Sequence, residues 1–332
     1  MKKIIRFIAL SAALLLMAGG CALGPAADES GTVGQEETSG SSSDITPASF
    51  PHTFTDSMGN KVTLDRRPSR VAVLFASYAE IWKLSGGEIA VTVGDSITRG
   101  FAAEGTPVVH ATSGMKIDRE ALVAANPDFV IISSDLKAQL EAGELMKELG
   151  VPVAAFREDS FEDYMSMLKL FCEINGSPEA YAAFGTDVRD SIEKLLGEAP
   201  ERSFSYLFIR AGSAFSSTSA QKSADHFACD ILNALGGRNI ADDFATGTDS
   251  LSLEAVIAAG PEFIFAVAKG DEEAAFANLN SILASDGWSS LTAVKEGRVI
   301  YLEKDLYNLK PNQKWAEAYV KLEKLLSEKA GR

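Results

Sequence analysis

Short apolar runs bounded by turn residues alternate along this chain with longer stretches whose apolar residues recur every three or four positions. The runs Arg70–Phe75, Val91–Val93, Val108–Val109, Val151–Phe156, Phe204–Ile209 and Val299–Leu302 read as buried strands. Between them, Tyr78–Leu84, Ala138–Leu149, Ala224–Leu235 and Glu272–Leu283 carry a helical period, and a last helix is expected over Asn312–Ser327. Phe54–Leu64 alternates around Gly59-Asn60 and predicts a β-hairpin. Alternation of strand and helix on this scale predicts an α/β fold with mostly parallel sheets.

One unit of this pattern is written twice. Glu120-Ala-Leu-Val-Ala-Ala-Asn-Pro-Asp-Phe-Val-Ile131 returns 134 residues later as Glu254-Ala-Val-Ile-Ala-Ala-Gly-Pro-Glu-Phe-Ile-Phe265, with six of twelve positions identical. Each copy reads as an acid-led helix, a turn at proline and a buried strand. The helix-closing pairs Gly86-Gly87 and Gly236-Gly237 recur at an offset of 150. A long unit repeated once predicts two related lobes, because a solenoid needs at least about three shorter repeats. The longest helical pattern, Ser160–Leu196, lies between the copies, opens on a capping pair Ser160/Asp163, and is expected to kink at Gly176-Ser-Pro178. The body then divides into an N-terminal lobe over 49–157, a connecting helix over 158–197 and a C-terminal lobe over 198–332.

Ahead of the body, a basic start (Lys2, Lys3, Arg6) precedes an apolar core, Phe7–Met17, too short for the ~20 residues of a membrane span. Ala18-Gly-Gly-Cys21 follows and resembles a bacterial lipobox, with Ala18 where leucine is usual. Residues 1–20 therefore read as a lipoprotein signal peptide and Cys21 as the lipidated residue. Residues 21–48, poor in large apolar residues, read as a flexible tether. The expected location is the outer face of the cell membrane, or the periplasm of a Gram-negative host, held by the lipid anchor alone.

The formal charge of −15 becomes −18 once residues 1–20, with their three basic side chains, are removed. That excludes a nucleic-acid binder, which needs a basic face, and suits docking on a basic partner. Three histidines without clustering cannot furnish a nitrogen-rich zinc or manganese site. Cys172 and Cys229 are expected to stay unpaired as small buried hydrophobes. There is no Gly-x-Ser-x-Gly, His-Glu-x-x-His or phosphate-loop motif, so the chain reads as no enzyme; an exported hydrolase using Ser216–Ser219 is a remote alternative, as is a structural surface lipoprotein or adhesin.

The Asp56–Asn60 hairpin, Arg70–Val73, Leu149-Gly-Val-Pro-Val153, Leu235-Gly-Gly-Arg-Asn239 and the two acid-led units, taken in this order, resemble the solute-binding proteins of bacterial ABC importers for iron-siderophores, haem and cobalamin. The resemblance runs from about Phe54 onward. It implies two Rossmann-like α/β lobes joined by a single long α-helix, a ligand cleft between them, and closure through small angles. It further implies a monomer that delivers cargo to a permease and, through it, to a cytoplasmic ATPase. A glutamate on each lobe would dock on permease arginines; these map to Glu120 and Glu254. Both also suit a first helical turn, where the helix dipole favours an acid without any partner.

Ligands of open α/β sheets sit beyond the carboxyl ends of the strands. That places Tyr78, Trp82, Arg99, His110, Met115, Arg157, Arg210, Tyr307, Lys310 and Trp315 as cargo-contact candidates. Aromatic faces suit a planar or apolar cargo, and arginines suit its carboxylates, carbonyls or phosphate. Met115, with His110, admits a haem-iron ligand reading. No resident cofactor is expected; the cargo is a ferric siderophore by first preference, otherwise haem or a corrinoid.

Overall fold

The Asp56 carboxylate closes the first hairpin by accepting from Met58 N (3.0 Å) and Asn60 N (2.8 Å). It also takes Ala155 N at 3.1 Å, which pins the turn to the first sheet. The strands it joins, β1 (His52–Thr55) and β2 (Lys61–Leu64), are antiparallel, as the alternation predicts. This computed structural model describes residues 45–110, 112, 114–244 and 252–330. The expected signal peptide, Cys21 and the tether up to residue 44 lie outside the described residues.

Two sheets follow. The first holds β3 (Val71–Val73), β4 (Ile89–Val91), β5 (Phe129–Ser133) and β6 (Val153–Phe156), all parallel, in the order β4-β3-β5-β6. The second holds β7 (Phe204–Ala211), β8 (Ser219–Gln221), β9 (Gly237–Asn239), β10 (Phe263–Ala268) and β11 (Val299–Leu302), in the order β11-β10-β7-β8. There β9 pairs parallel with the start of β7, and only β8 is antiparallel. The first strand of each sheet, β3 or β7, is flanked on one side by the next strand and on the other by a repeat strand, β5 or β10. The order therefore reverses at β3 and at β7, and their carboxyl ends are the expected binding positions.

Helices α1 (Ala76–Leu84), α2 (Gly94–Thr98), α3 (Arg119–Ala124) and α4 (Lys137–Glu148) belong to the first sheet. The Val108–Val109 run makes only an isolated parallel bridge from Val108 to Thr92, too short to count as a strand. The connector is α5 (Phe161–Asn175), α6 (Pro178–Tyr181), a π-helical turn over Ala182–Thr186 and α7 (Asp187–Glu198). Ser160 and Asp163 form the expected capping box. The expected kink is a full break, so the connector is not one continuous helix. Gly176 is left-handed (φ 65°) and ends α5, and Pro178 starts α6 where no backbone donor is needed.

The second sheet carries α8 (Phe227–Ala234), α9 (Leu253–Ala259), α10 (Glu272–Leu283), α11 (Thr292–Lys295), α12 (Lys304–Tyr307) and α13 (Trp315–Ala330). Helix α8 starts three residues later than its apolar pattern suggests, because His226 is extended and acts as the N-cap. The paired glycines do the same work in both lobes. Gly86 and Gly236 are left-handed (φ 81° and 93°), while a Cβ on Gly87 would meet the Trp82 indole at 2.3 Å and one on Gly237 the Tyr206 ring at 2.8 Å. Cys172 and Cys229 are buried and unpaired, as expected. One continuous apolar core runs from Val71 and Phe129 of the first sheet through Phe171 to Phe227, Phe265 and Trp315 of the second. No helix among the described residues is long and apolar enough to cross a membrane.

Candidate functional site

Where β3 ends, Phe75 and Ser77 face the end of β7, the α8 start and the segment after α12. They enclose a cavity of about 350 Å³ with Asp159, Arg210, Asp225, His226, Phe227, Asn308, Leu309 and Lys310. A second cavity of about 520 Å³, sharing Lys310, is lined by Glu80, Thr98, Arg99, Phe101, Asp305, Pro311, Gln313 and Lys314. Both draw walls from the two lobes.

Arg210, next to last in β7, donates its Nε to Asn308 Oδ1 at 3.0 Å. Burial lowers its pKa, and no carboxylate among the described residues forms an ion pair with it. A partly buried guanidinium without an ion pair carries a desolvation cost, which an anionic or carbonyl oxygen in the cavity would offset. His226 accepts from Ala228 N through Nδ1 (3.3 Å), which leaves the proton on Nε2. Its ring stacks on Phe227 (5.1 Å) and packs on Phe208 (4.6 Å). Burial, then Arg210 and Lys310, push its pKa down to about 3, so it is a neutral donor at physiological pH. Lys310 crosses the cavity: its Nζ lies 3.2 Å from Asp159 Oδ1 and 5.6 Å from the centre of the Phe227 ring. Burial alone would raise the Asp159 carboxyl, but Lys310 and Arg157 offset this and hold it below the usual range.

Behind this floor lie polar groups with few partners. Glu158 is 1% exposed and neither of its carboxylate oxygens has a hydrogen-bond partner among the described residues. Burial, reinforced by Glu80, Asp163 and Asp159 and opposed by Lys310, raises its pKa to about 8. Glu80, raised by burial, accepts from Asn312 Nδ2 (2.8 Å) and Gln313 Nε2 (3.3 Å).

The two repeat units present a second kind of site. Asp118 caps α3 by accepting from Ala121 N (2.9 Å), and Ser252 caps α9 by accepting from Ala255 N (3.4 Å). Glu120 and Glu254 therefore take the same position in the first turn of their helices. Both are exposed, and neither has an ion-pair or hydrogen-bond partner among the described residues. The second acid of each unit is used internally. Asp128 accepts from Ser69 N, Ser69 Oγ and Arg70 N at 2.8–3.1 Å, and Glu262 accepts from Ser205 N at 3.2 Å.

The sequence profile of the periplasmic binding protein family matches residues 71–306. The chain belongs to this family. The periplasmic binding protein described here is 26% identical over 268 residues to an uncharacterized ABC transporter substrate-binding lipoprotein of Bacillus subtilis, YvrC, covering 77% of this chain and 80% of the relative. It is 24% identical over 258 residues to a cobalamin-binding protein of Halobacterium salinarum, covering 76% and 68%. Its fold matches the crystal structure of an ABC-type Fe3+-hydroxamate transport system from Saccharomonospora viridis with a TM-score of 0.66 at 18% identity, over 84% of this chain and 99% of the other.

Of the ten cargo-contact candidates, the structure brings Arg210 and Lys310 to the first cavity and Arg99 and Lys310 to the second. Arg99 stacks on Phe101 at 4.6 Å. Four aromatics are corrected to core. Tyr78 donates to Phe156 O, Trp82 to Glu88 O and Tyr307 to Ala318 O, each at 2.9 Å, and Trp315 is equally buried. They follow the strand ends on helices whose inner face is turned to the core. Two of them back the true aromatic walls, Tyr78 behind Phe75 (4.8 Å) and Trp315 behind Phe227 (5.4 Å). Arg157 is exposed and committed to Asp159. Met115, 60% exposed, and His110, whose Nδ1 meets Thr112 N at 3.3 Å, line neither cavity. His226, which falls inside the helix expected over Ala224–Leu235, is both cap and wall. Asn308 carried no signal beyond its place after a strand.

Proposed function

We propose that this chain is the extracytoplasmic binding component of an ABC importer, and that it captures a ferric siderophore between its lobes. The observation that carries this reading is the Arg210 guanidinium, partly buried, without an ion pair among the described residues and set beside the neutral His226 donor and the Phe75 and Phe227 faces. Such a floor suits a cargo with anionic or carbonyl oxygens on a flat or apolar body. A corrinoid is the second reading, favoured by the relative from Halobacterium salinarum named a cobalamin-binding protein. Haem draws less support, since Met115 and His110 stand away from both cavities.

Trp315 packs on the Phe227 wall at 5.4 Å, so its fluorescence reports on this cavity. Titration with a ferric hydroxamate siderophore, with cobalamin and with haem is expected to give saturable quenching with the siderophore. Quenching by cobalamin alone moves the cargo to the corrinoid class. No saturable response to any of the three, or turnover of an ester substrate, overturns the binding reading.

The same reading has the lobes run over 49–157 and 198–332 around a connector at 158–197. It has the chain act as a monomer, anchored by a lipid on Cys21 after export, with Glu120 and Glu254 docked on basic residues of the permease. Replacing both glutamates by alanine is expected to abolish uptake while cargo affinity is kept. Wild-type uptake by that variant would remove the docking role.

A further inference from the structure

Large apolar side chains are exposed at few places on the described surface, and two of them occupy the same position in the two repeat units. Val123 is 38% exposed and Ile257 is 45% exposed. Each lies three residues after the unit's leading acid, so Val123 shares a helix face with Glu120 and Ile257 shares one with Glu254. The opposite face of each helix is closed: Leu122 and Val256 are wholly buried. Core packing therefore explains the inner face of each unit and leaves the outer face unexplained. On both lobes that outer face pairs an unpaired carboxylate with a branched apolar side chain about 5–6 Å along the helix.

We propose that Val123 and Ile257 are paired apolar anchors which seat in two pockets on the permease, each flanked by the basic group that receives Glu120 or Glu254. The occupant follows from charge. The chain carries −15, and the two carboxylates beside the anchors have no cation partner among the described residues, so the matching surface is basic at two points with an apolar recess next to each. The acids steer the encounter and set its register, while the anchors, dry once docked, slow dissociation. This rests on the importer reading above and adds to it the apolar half of each contact.

The test uses the full lipidated chain, with the importer's permease in lipid nanodiscs. Val123→Ser with Ile257→Ser is expected to weaken docking by about tenfold or more, chiefly through faster dissociation, since each loses burial of a branched side chain. Thermal stability and siderophore affinity should stay at wild-type values, because both side chains are at the surface. Leu149→Ser with Val320→Ser removes two other exposed apolar side chains and serves as the control. Equal weakening by the control pair overturns the proposal. Unchanged docking by the anchor pair, with loss in the Glu120/Glu254 double alanine variant, overturns the proposal and leaves the importer reading standing. If neither pair matters, both fail.

Discussion

Asn312, just ahead of α13, donates its side-chain amide to Glu80 Oε2 at 2.8 Å, and the same Nδ2 lies 2.9 Å from the main-chain oxygen of Ser77. Donor and acceptors belong to opposite lobes and all are buried. Asn312 also holds a left-handed backbone (φ 51°), a conformation asparagine tolerates better than most residues. The side chain thus closes the lobe interface and the residue type permits the turn.

Asn312→Ala removes both bonds, leaves a buried carboxyl short of a donor and adds a left-handed alanine. The expected cost is about 2–4 kcal/mol. Asn312→Gly relieves the backbone and keeps only the loss of the bonds, so it should fall about 1 kcal/mol short of the alanine variant. Chemical denaturation of the three proteins checks the order. Equal stability of wild type and the glycine variant would mean the interlobe bonds contribute nothing.

Glu158 gives the pH dependence. Its folded pKa, about 8, lies above the ordinary 4.5, so the folded state keeps a proton that the unfolded chain releases. Its contribution is complete below pH 4.5 and is lost as pH rises through 8. Glu158→Gln cannot titrate. Its stability relative to wild type should rise by several kcal/mol, in order of magnitude, between pH 5 and 9. Melting temperatures of both proteins across that range decide it. A constant difference would mean Glu158 is ionised throughout.

Arg210→Met keeps the stem and removes the desolvated charge. Folding should change little, because no carboxylate among the described residues loses a partner and the lost Asn308 bond is offset by removing a partly buried charge. Ferric siderophore affinity should fall about tenfold to a hundredfold, the worth of one or two hydrogen bonds to a charged group. The Trp315 titration measures it, and unaltered affinity would place the cargo away from this floor.

What the sequence made legible was local. Caps at Asp118, Ser160 and Ser252, the left-handed Gly86 and Gly236, and the break at Gly176-Ser-Pro178 follow from residue chemistry within a few positions. Depth was harder to read. Tyr78, Trp82, Tyr307 and Trp315 sit near strand ends, as cargo residues would, yet whether a helix turns its aromatics inward depends on partners far along the chain, Phe156 for Tyr78 and Phe171 for Trp82. Glu158 carries no sequence signal of its burial, since it falls between a strand and a helix. The groups that set its charge, Lys310 and Glu80, lie far from it in sequence. His226 was hidden because the same imidazole caps α8 through Nδ1 while lining the cavity.

The twin units finally allow their two acids to be separated by experiment. Asp128 and Glu262 each tie a strand-leading segment to the repeat turn, Asp128 through Ser69 and Arg70, Glu262 through Ser205. Asp128→Ala should cost about 1–3 kcal/mol of stability, since it removes a charged acceptor shared by Ser69 N, Ser69 Oγ and Arg70 N, and Glu262→Ala somewhat less because it accepts fewer bonds. Neither should change uptake at a temperature where the variant remains folded. Glu120→Ala and Glu254→Ala should show the reverse: each costs at most about 0.3–1 kcal/mol through the helix dipole, and together they stop uptake. Denaturation and radiolabelled-iron uptake on all four variants make a crossed comparison. An uptake loss that tracks stability across the set, rather than position within the unit, would return Glu120 and Glu254 to a purely structural part.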